Sequence, residues 1–384
     1  MKILDNFISK ALSNISQGLL ILTLPSGEIK TFGESGLSAD LTIHSYKAIR
    51  LIIQKGDVGF AEAYFKNYWS TNNILILYEV LVANLDAMQK QLKNNTLSKL
   101  LSYMRHLLRF NSISGSKKNI HAHYDLGNDF FFLWLDKSKT YSSALFESIN
   151  SSLEDAQKNK YQAILNTLNL PRGSSILEIG CGWGGFMELA GNAGYRVDGL
   201  TISEEQFKYS SDRLKSFSGC SVIFEDYRNH FGKYDAIVSI EMFEAVGSKY
   251  WNTFMDKVSS LLRSGSRAVI QVITIRDDLL PQYLRSADFI KTYIFPGGEL
   301  IGKNKLQSLA LEAGLKLEKT LCFGKDYAKT LEHWYLRFKE VENTILTLGF
   351  DKRFIDIWET YLAYCRGGFL AERIDVGQFS LIKE

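Results

Sequence analysis

Between Ile176 and Phe186 the chain reads ILEIGCGWGGF, an apolar strand-like run that ends in Gly180, Gly182, Gly184 and Gly185 with a helical segment directly after. Glycines at such a turn let the backbone bend sharply and approach a bound group where a Cβ would collide. Two kinds of cofactor suit a loop of this form: a dinucleotide, through its pyrophosphate, or S-adenosylmethionine (SAM). The surrounding residues favour SAM. Glu178 stands two residues before the first glycine, where a carboxylate meets a cationic amino acid moiety and repels a pyrophosphate. The next strand ends in Thr201-Ile202-Ser203 with no acid at its tip to hold a ribose, and Asp198 lies three residues short. After the third strand come Glu225, Asp226 and Tyr227, an acid and an aromatic of the kind that holds an adenine. A dinucleotide loop and an ordinary structural turn are the alternatives.

The elements that must position this loop alternate in the α/β manner from about residue 170 onward. Strands are expected at Ser175–Ile179, Arg196–Thr201, Ser221–Phe224, Asp235–Ile240 and Arg267–Ile273, with amphipathic helices between them, which is the pattern of a parallel sheet. Residues 1 to about 88 behave as a separate unit. Strand-like runs at Gly18–Leu24 and Leu41–Ile43 flank a turn at Pro25-Ser26-Gly27, and a helical segment covers Gly56 to Trp69. Residues 95–110 carry Leu97, Leu100, Leu101, Met104, Leu107 and Leu108 on one apolar stripe, with Lys99, Arg105 and Arg109 at its edges or away from it. This helix either docks on a domain or lies in a membrane interface facing anionic head groups. Asn111 to Lys118 is the polar joint, which divides the chain into domains 1–112 and 113–384.

Charge is concentrated around that helix. Residues 90–118 hold seven Lys and Arg and no Asp or Glu, so the segment carries +7 on a chain whose formal net charge is +3. A basic segment on a mildly acidic body points to an anionic surface as partner. No apolar run is long enough to span a bilayer, and the N-terminus lacks a long apolar stretch and has Asp5 in its first turn, so membrane contact is expected to be peripheral and cytoplasmic. The four cysteines form no CxxC pair and read as free thiols, not as a metal site or disulfides. No nucleic-acid partner is expected, and a homodimer is left open.

Seven strings occur in order: IHAHYDLGNDFFFLWLD (Ile120 to Asp136), TYSSALF (Thr140 to Phe146), LEIGCGWGG, GLTISEEQ (Gly199 to Gln206), EDYRN (Glu225 to Asn229), VSIEMFEAVG (Val238 to Gly247) and YIFPGG (Tyr293 to Gly298). Together they resemble the cyclopropane-fatty-acyl-phospholipid synthase family, which includes the mycolic acid cyclopropane synthases. GDVGFAEAYF resembles that family's N-terminal lipid-associated domain, so the resemblance covers essentially the whole chain. It implies a Rossmann-like, class I SAM methyltransferase α/β sheet with helices on both faces and a smaller N-terminal α+β domain. It also implies transfer of the SAM methyl group to the double bond of an unsaturated acyl chain on a membrane phospholipid. Loss of a proton from the resulting carbocation closes a cyclopropane ring, with bound bicarbonate as base. The cofactor contacts carried over are Tyr141, Ser142, Gly180, Gly182, Thr201, Ile202, Gln206 and Ile240, together with Tyr227; Glu178, Gly184 and Asp226 join them from the loop reading above.

An olefin is a weak nucleophile, so this reaction needs close alignment in a dry pocket and a lining that tolerates a cation. Phe130, Phe131, Phe132, Trp134, Tyr293, Phe295, Tyr327 and Trp334 could form that lining, although each alone is equally a core residue. In the family's bicarbonate site this chain keeps Glu244, Ile273 and Tyr327 but has Ser143 for a cysteine and Gln271 for a histidine; Ala245 replaces a further histidine. Ser143 and Gln271 still donate hydrogen bonds to a small oxyanion, while the ionisable groups are gone. Glu244 then becomes the main candidate for proton removal, directly or by orienting bicarbonate. The replacements leave open a methylene or methyl-branched product, and a non-catalytic lipid-binding relative. His44, His106, His230 and His333 lie outside the motifs and are assigned no role.

Overall fold

The computed structural model describes residues 2–93 and 126–384. The amphipathic helix expected at 95–110, the joint at 111–118, the 112/113 boundary and His123 lie outside the described residues. The chain divides into two compact units.

In the first unit, β1 (Leu19–Thr23), β2 (Ile29–Gly33), β3 (Ser38–Ile43) and β4 (Trp69–Ser70) form a sheet of order β2-β1-β3-β4. The expected turn closes the β1–β2 hairpin, with the Gly27 N–H on the Leu24 carbonyl at 2.9 Å and φ of +84° at Gly27. Alternation does the rest: Ala39, Leu41 and Ile43 of β3 face the core and their neighbours do not. The helical segment is shorter than expected, Asp57–Phe65, because Trp69 starts β4 and is buried against Phe60 and Tyr64.

This unit is not contiguous in sequence. Ala287–Pro296 and Lys339–Ala371 belong to it, segments that the sequence-based division places with the later residues. Packing explains the difference. Helix Lys352–Leu370 crosses helix Ile74–Ala83 so closely at Gly367 that a Cβ there would meet the Tyr78 carbonyl oxygen at 3.0 Å. Arg366 pairs with Glu79 at 2.6 Å, and the Phe289 N–H and the Tyr293 hydroxyl donate to Asp57 and Glu62 at 3.2 Å each.

The second unit is built on β5 (Ser175–Ile179), β6 (Arg196–Thr201), β7 (Cys220–Phe224), β8 (Tyr234–Ile240), β9 (Leu262–Ile275), β10 (Ile301–Gly302), β11 (Leu315–Cys322) and β12 (Ile374–Lys383). Their order is β11-β12-β9-β8-β5-β6-β7, with β10 beside β9. β5 to β10 pair in parallel; β12 runs antiparallel to β9 and to β11. Helices cover both faces, as the alternation of β8 requires: Ile237 packs with helices Trp251–Leu261 and Lys303–Glu312, whereas Ala236 and Val238 pack with Leu153–Leu168 and Gly185–Asn192. The five strands expected from sequence are present; β10, β11 and β12 are additional. Strand order reverses at β5, whose neighbours are β6 and β8, and ligands of such sheets bind beyond the carboxyl ends at this switch point.

Candidate active site

β5 delivers the glycine loop to that switch point. Gly180, Gly182 and Gly184 have φ of +84°, +52° and +79°, values that L side chains adopt at a cost. A Cβ on Gly180 would lie 2.6 Å from the Met242 side chain, whereas one on Gly182 would point into space with no atom within 4 Å. Arg213 braces the loop, its guanidinium donating to the Trp183 carbonyl at 3.0 Å and to Glu188 at 2.6 Å.

The sequence-derived cofactor residues sit at the carboxyl edge of four adjacent strands. Glu178, next to last in β5, is only 3% exposed; its Oε2 has no hydrogen-bond partner, and burial pushes the carboxyl up to about 8 against the pull of Lys160 and Arg213. Thr201 closes β6 and donates to the Gln206 side chain at 3.0 Å, while Ile202 beyond it is 73% exposed. Asp226 follows β7, but Arg228 already holds its carboxylate, at 3.0 Å from Nε, and keeps it below the usual range. Tyr227 packs its ring against Phe254, and Ile240 ends β8.

Tyr141 is caged by aromatic rings, with Phe131, Trp134 and Trp334 at centroid distances of 5.2, 5.7 and 5.2 Å. Tyr327 packs edge-on to Trp334 at 6.0 Å. Phe132 meets Tyr209 and Trp183, and Phe130 is wholly buried. Two of the expected lining residues, Tyr293 and Phe295, belong to the first unit, where they pack on Phe65 and Tyr361.

Two acids follow β8. Glu244 accepts from the Ile273 N–H, its Oε2 is buried without a partner, and burial together with the Glu241 charge pushes its carboxyl up to about 8. Glu241 accepts from the Ser143 N–H at 2.9 Å, the Gln271 Nε2 at 2.7 Å and the Tyr327 hydroxyl at 2.7 Å. The structure thus brings Ser143, Gln271 and Tyr327 together around Glu241, and Ile273 to Glu244. Burial raises the Glu241 carboxyl as well, while its three donors and Lys160 favour the charged form.

Sequence reasoning missed Glu241, Lys160 and Gln378. The Glu241/Glu244 spacing in VSIEMFEAVG was a visible signal. Lys160 carried none; it is fully buried on helix Leu153–Leu168, donates to the Ser142 hydroxyl at 2.6 Å, and burial lowers it to about 7 despite Glu241, Asp136 and Glu178. Three of the unassigned histidines have structural partners: His44 meets the Ser70 hydroxyl, His230 lies between Glu225 and Tyr234, and Tyr234 donates to Asp198; His333 stacks on Phe146, and His106 lies outside the described residues.

The family model for mycolic acid cyclopropane synthetase matches residues 112–379, more than half of the chain. The chain belongs to this family. It is 33% identical to the tuberculostearic acid methyltransferase of Mycobacterium tuberculosis, over 90% of this chain and 83% of that protein. To the cyclopropane-fatty-acyl-phospholipid synthase of Escherichia coli it is 31% identical, over 88% and 87%. Among solved structures, a mycolic acid cyclopropane synthase complexed with SAH and CTAB matches with a TM-score of 0.64 and 30% identity, over 69% of this chain and 98% of that one.

The protein is therefore a SAM-dependent methyltransferase with the class I fold. Its residues fit that cofactor on two observations: the open space in front of Gly182, and the buried, unpartnered Glu178 oxygen that a ligand ammonium would satisfy. Tyr141, Ser142, Glu178, the glycine loop, Thr201, Ile202 and Gln206 are the residues that would hold it. Bound SAM supplies a methyl group on a sulfonium, an electrophile. No group of three or more metal-ligating side chains occurs among the described residues.

Proposed function

We propose that this methyltransferase acts on the double bond of an unsaturated phospholipid acyl chain and gives a cyclopropane fatty acyl chain. The observation that carries the reading is the pairing of an enclosed carboxylate site, Glu241 with Glu244, with an aromatic cage around Tyr141 beside the glycine loop. An alkene that accepts a methyl cation becomes a carbocation. The rings of Phe131, Tyr141, Trp134 and Trp334 offer it π faces and exclude water, and the acid pair offers a place for the proton it must lose. The relative named as a cyclopropane-fatty-acyl-phospholipid synthase supports this substrate class.

A second reading, methylation without ring closure, is favoured by the similarity to the tuberculostearic acid methyltransferase and by Gln271 and Ser143 in place of ionisable groups. No helix among the described residues is long and apolar enough to cross a membrane. Contact with lipid is proposed as peripheral, on the inner face, through the basic run 90–118.

The test is incubation with labelled SAM and vesicles of monounsaturated phospholipid. Label is expected in the acyl fraction, and mass spectrometry separates a ring from a branch. Absence of label with monoenoic, dienoic and branched substrates refutes the reading.

A further inference from the structure

Three of the residues that the family resemblance connects with bicarbonate donate their hydrogen bonds to a carboxylate of the chain itself. The Ser143 N–H and Gln271 Nε2 meet one oxygen of Glu241 and the Tyr327 hydroxyl meets the other, at 2.9, 2.7 and 2.7 Å. A carboxylate and a bicarbonate present the same planar pair of oxygens to such donors. Gln271 is itself oriented by a second amide. Gln378 donates to its Oε1 at 3.1 Å, which leaves the amide nitrogen to Glu241. Glu241 reaches the donors from a φ of +51° at the end of β8. Backbone of this kind is strained on a non-glycine residue and persists where its surroundings over-determine it.

We propose that the Glu241 carboxylate fills the place of an external bicarbonate and is itself the proton acceptor of the reaction, so that the enzyme works without bicarbonate. This rests on the lipid-alkene reading above. The losses of cysteine and histidine then have a common cause, because a permanent carboxylate needs only neutral donors around it. Glu244 suits the role less well. Only backbone N–H groups, those of Ile273 and of Glu244 itself, favour its charge among the described residues, its second oxygen is buried without a hydrogen bond, and the charge of Glu241 disfavours its own. A single negative charge on the pair is best placed on Glu241, where three donors meet it and the charge of Lys160 favours it.

The step balances without a co-reactant. Once the methyl carbon is bonded to one alkene carbon, the other alkene carbon carries the positive charge. A C–H bond then breaks, either on the added methyl, which stands 1,3 to the cationic carbon, or on a chain carbon next to it, and its proton goes to a Glu241 oxygen. The electron pair stays on the lipid, closing the ring if the hydrogen belonged to the added methyl, or forming a double bond if it belonged to the chain. The neutral Glu241 acid then releases its proton to solvent.

The test uses the full chain with labelled SAM and monounsaturated phospholipid vesicles, in buffer stripped of carbon dioxide and again with added bicarbonate. Wild-type turnover is expected to agree within about twofold between the two conditions. Glu241→Gln keeps the shape and removes the proton acceptor, so turnover should fall by about 10²–10⁴-fold while SAM affinity measured by calorimetry is retained. Glu241→Gly suits the positive φ and frees three donors. It should bind isotope-labelled bicarbonate by NMR where the wild type does not, and recover turnover by at least about tenfold when bicarbonate is added, a small part of the general-base factor. Collapse of wild-type turnover on stripping, binding of labelled bicarbonate by the wild type, or normal turnover of Glu241→Gln overturns the inference. If the wild type methylates no lipid alkene, the lipid reading fails by itself, and the bicarbonate-binding comparison still decides whether Glu241 fills the anion's place.

Discussion

Glu244→Gln should raise thermal stability, by an amount that grows with pH. Glu244 accepts from the Ile273 N–H, and its Oε2 is buried without a hydrogen bond. Burial first and the Glu241 charge second lift its carboxyl from an ordinary 4.5 to about 8. Between those two values the native protein holds a proton that the unfolded chain releases, so the native state binds more protons and stability falls as pH rises. At pH 7 the unfolded group lies about 2.5 units past its midpoint and the native group is still mostly protonated, a penalty of about 3 kcal/mol at 1.36 kcal/mol per unit. At pH 5 the same reckoning leaves about 1 kcal/mol. Glutamine carries no such penalty at either pH. For a cooperative unit of about 200 residues each kcal/mol moves the melting temperature by about 2–4 °C, so the variant's lead should widen from about 2–4 °C at pH 5 to about 6–12 °C at pH 7. Thermal unfolding of both proteins without ligand, followed by circular dichroism, measures it. Any other effect of the substitution is independent of pH, so the widening is the test. A lead that is the same at both pH values, or that narrows, refutes the reasoning.

Other perturbations address other parts of the site. Tyr327→Phe removes one of three donors to Glu241, which raises that carboxyl further; the rising limb of the pH–rate profile should move to higher pH by about one to two units, and an unmoved limb counts against Glu241 as base. Gly182→Ala places a Cβ in the open space before the loop and should weaken SAM binding by at least about tenfold in calorimetry, beyond its backbone cost of roughly 1–2 kcal/mol. Arg105→Glu with Arg109→Glu should weaken binding to anionic vesicles and flatten its salt dependence in sedimentation assays; binding indifferent to salt and to both changes would remove the membrane role of that segment.

Much of the catalytic unit is legible because its signals are local. Strand Ser175–Ile179 and strand Arg196–Thr201 have the same bounds in sequence and structure, since apolar runs closed by glycine or polar residues mark both ends. β11 and β12 were missed: they are antiparallel and belong to the closing edge of the sheet, with no glycine loop or crossover helix to announce them. Asp226 is expected from the sequence to hold an adenine, and the pairing of its carboxylate with Arg228 two residues on is a contact that spacing alone does not show. Lys160 sits on a helix whose sequence offers no sign that one of its lysines points inward. The reach of the first unit, into 287–296 and 339–371, depends on a helix crossing at Gly367 that no nearby residue foretells.

The cofactor loop, the sheet that carries it and the family are legible in neighbouring residues, as a glycine turn, a period of two and seven ordered strings. Tertiary structure alone decided which acid is enclosed and which is bare. The donors to Glu241 come from positions 143, 271 and 327, and the ammonium that favours its charge comes from position 160. A carboxylate's protonation follows from the donors, charges and water around it, and those are brought together only when distant segments close on one another.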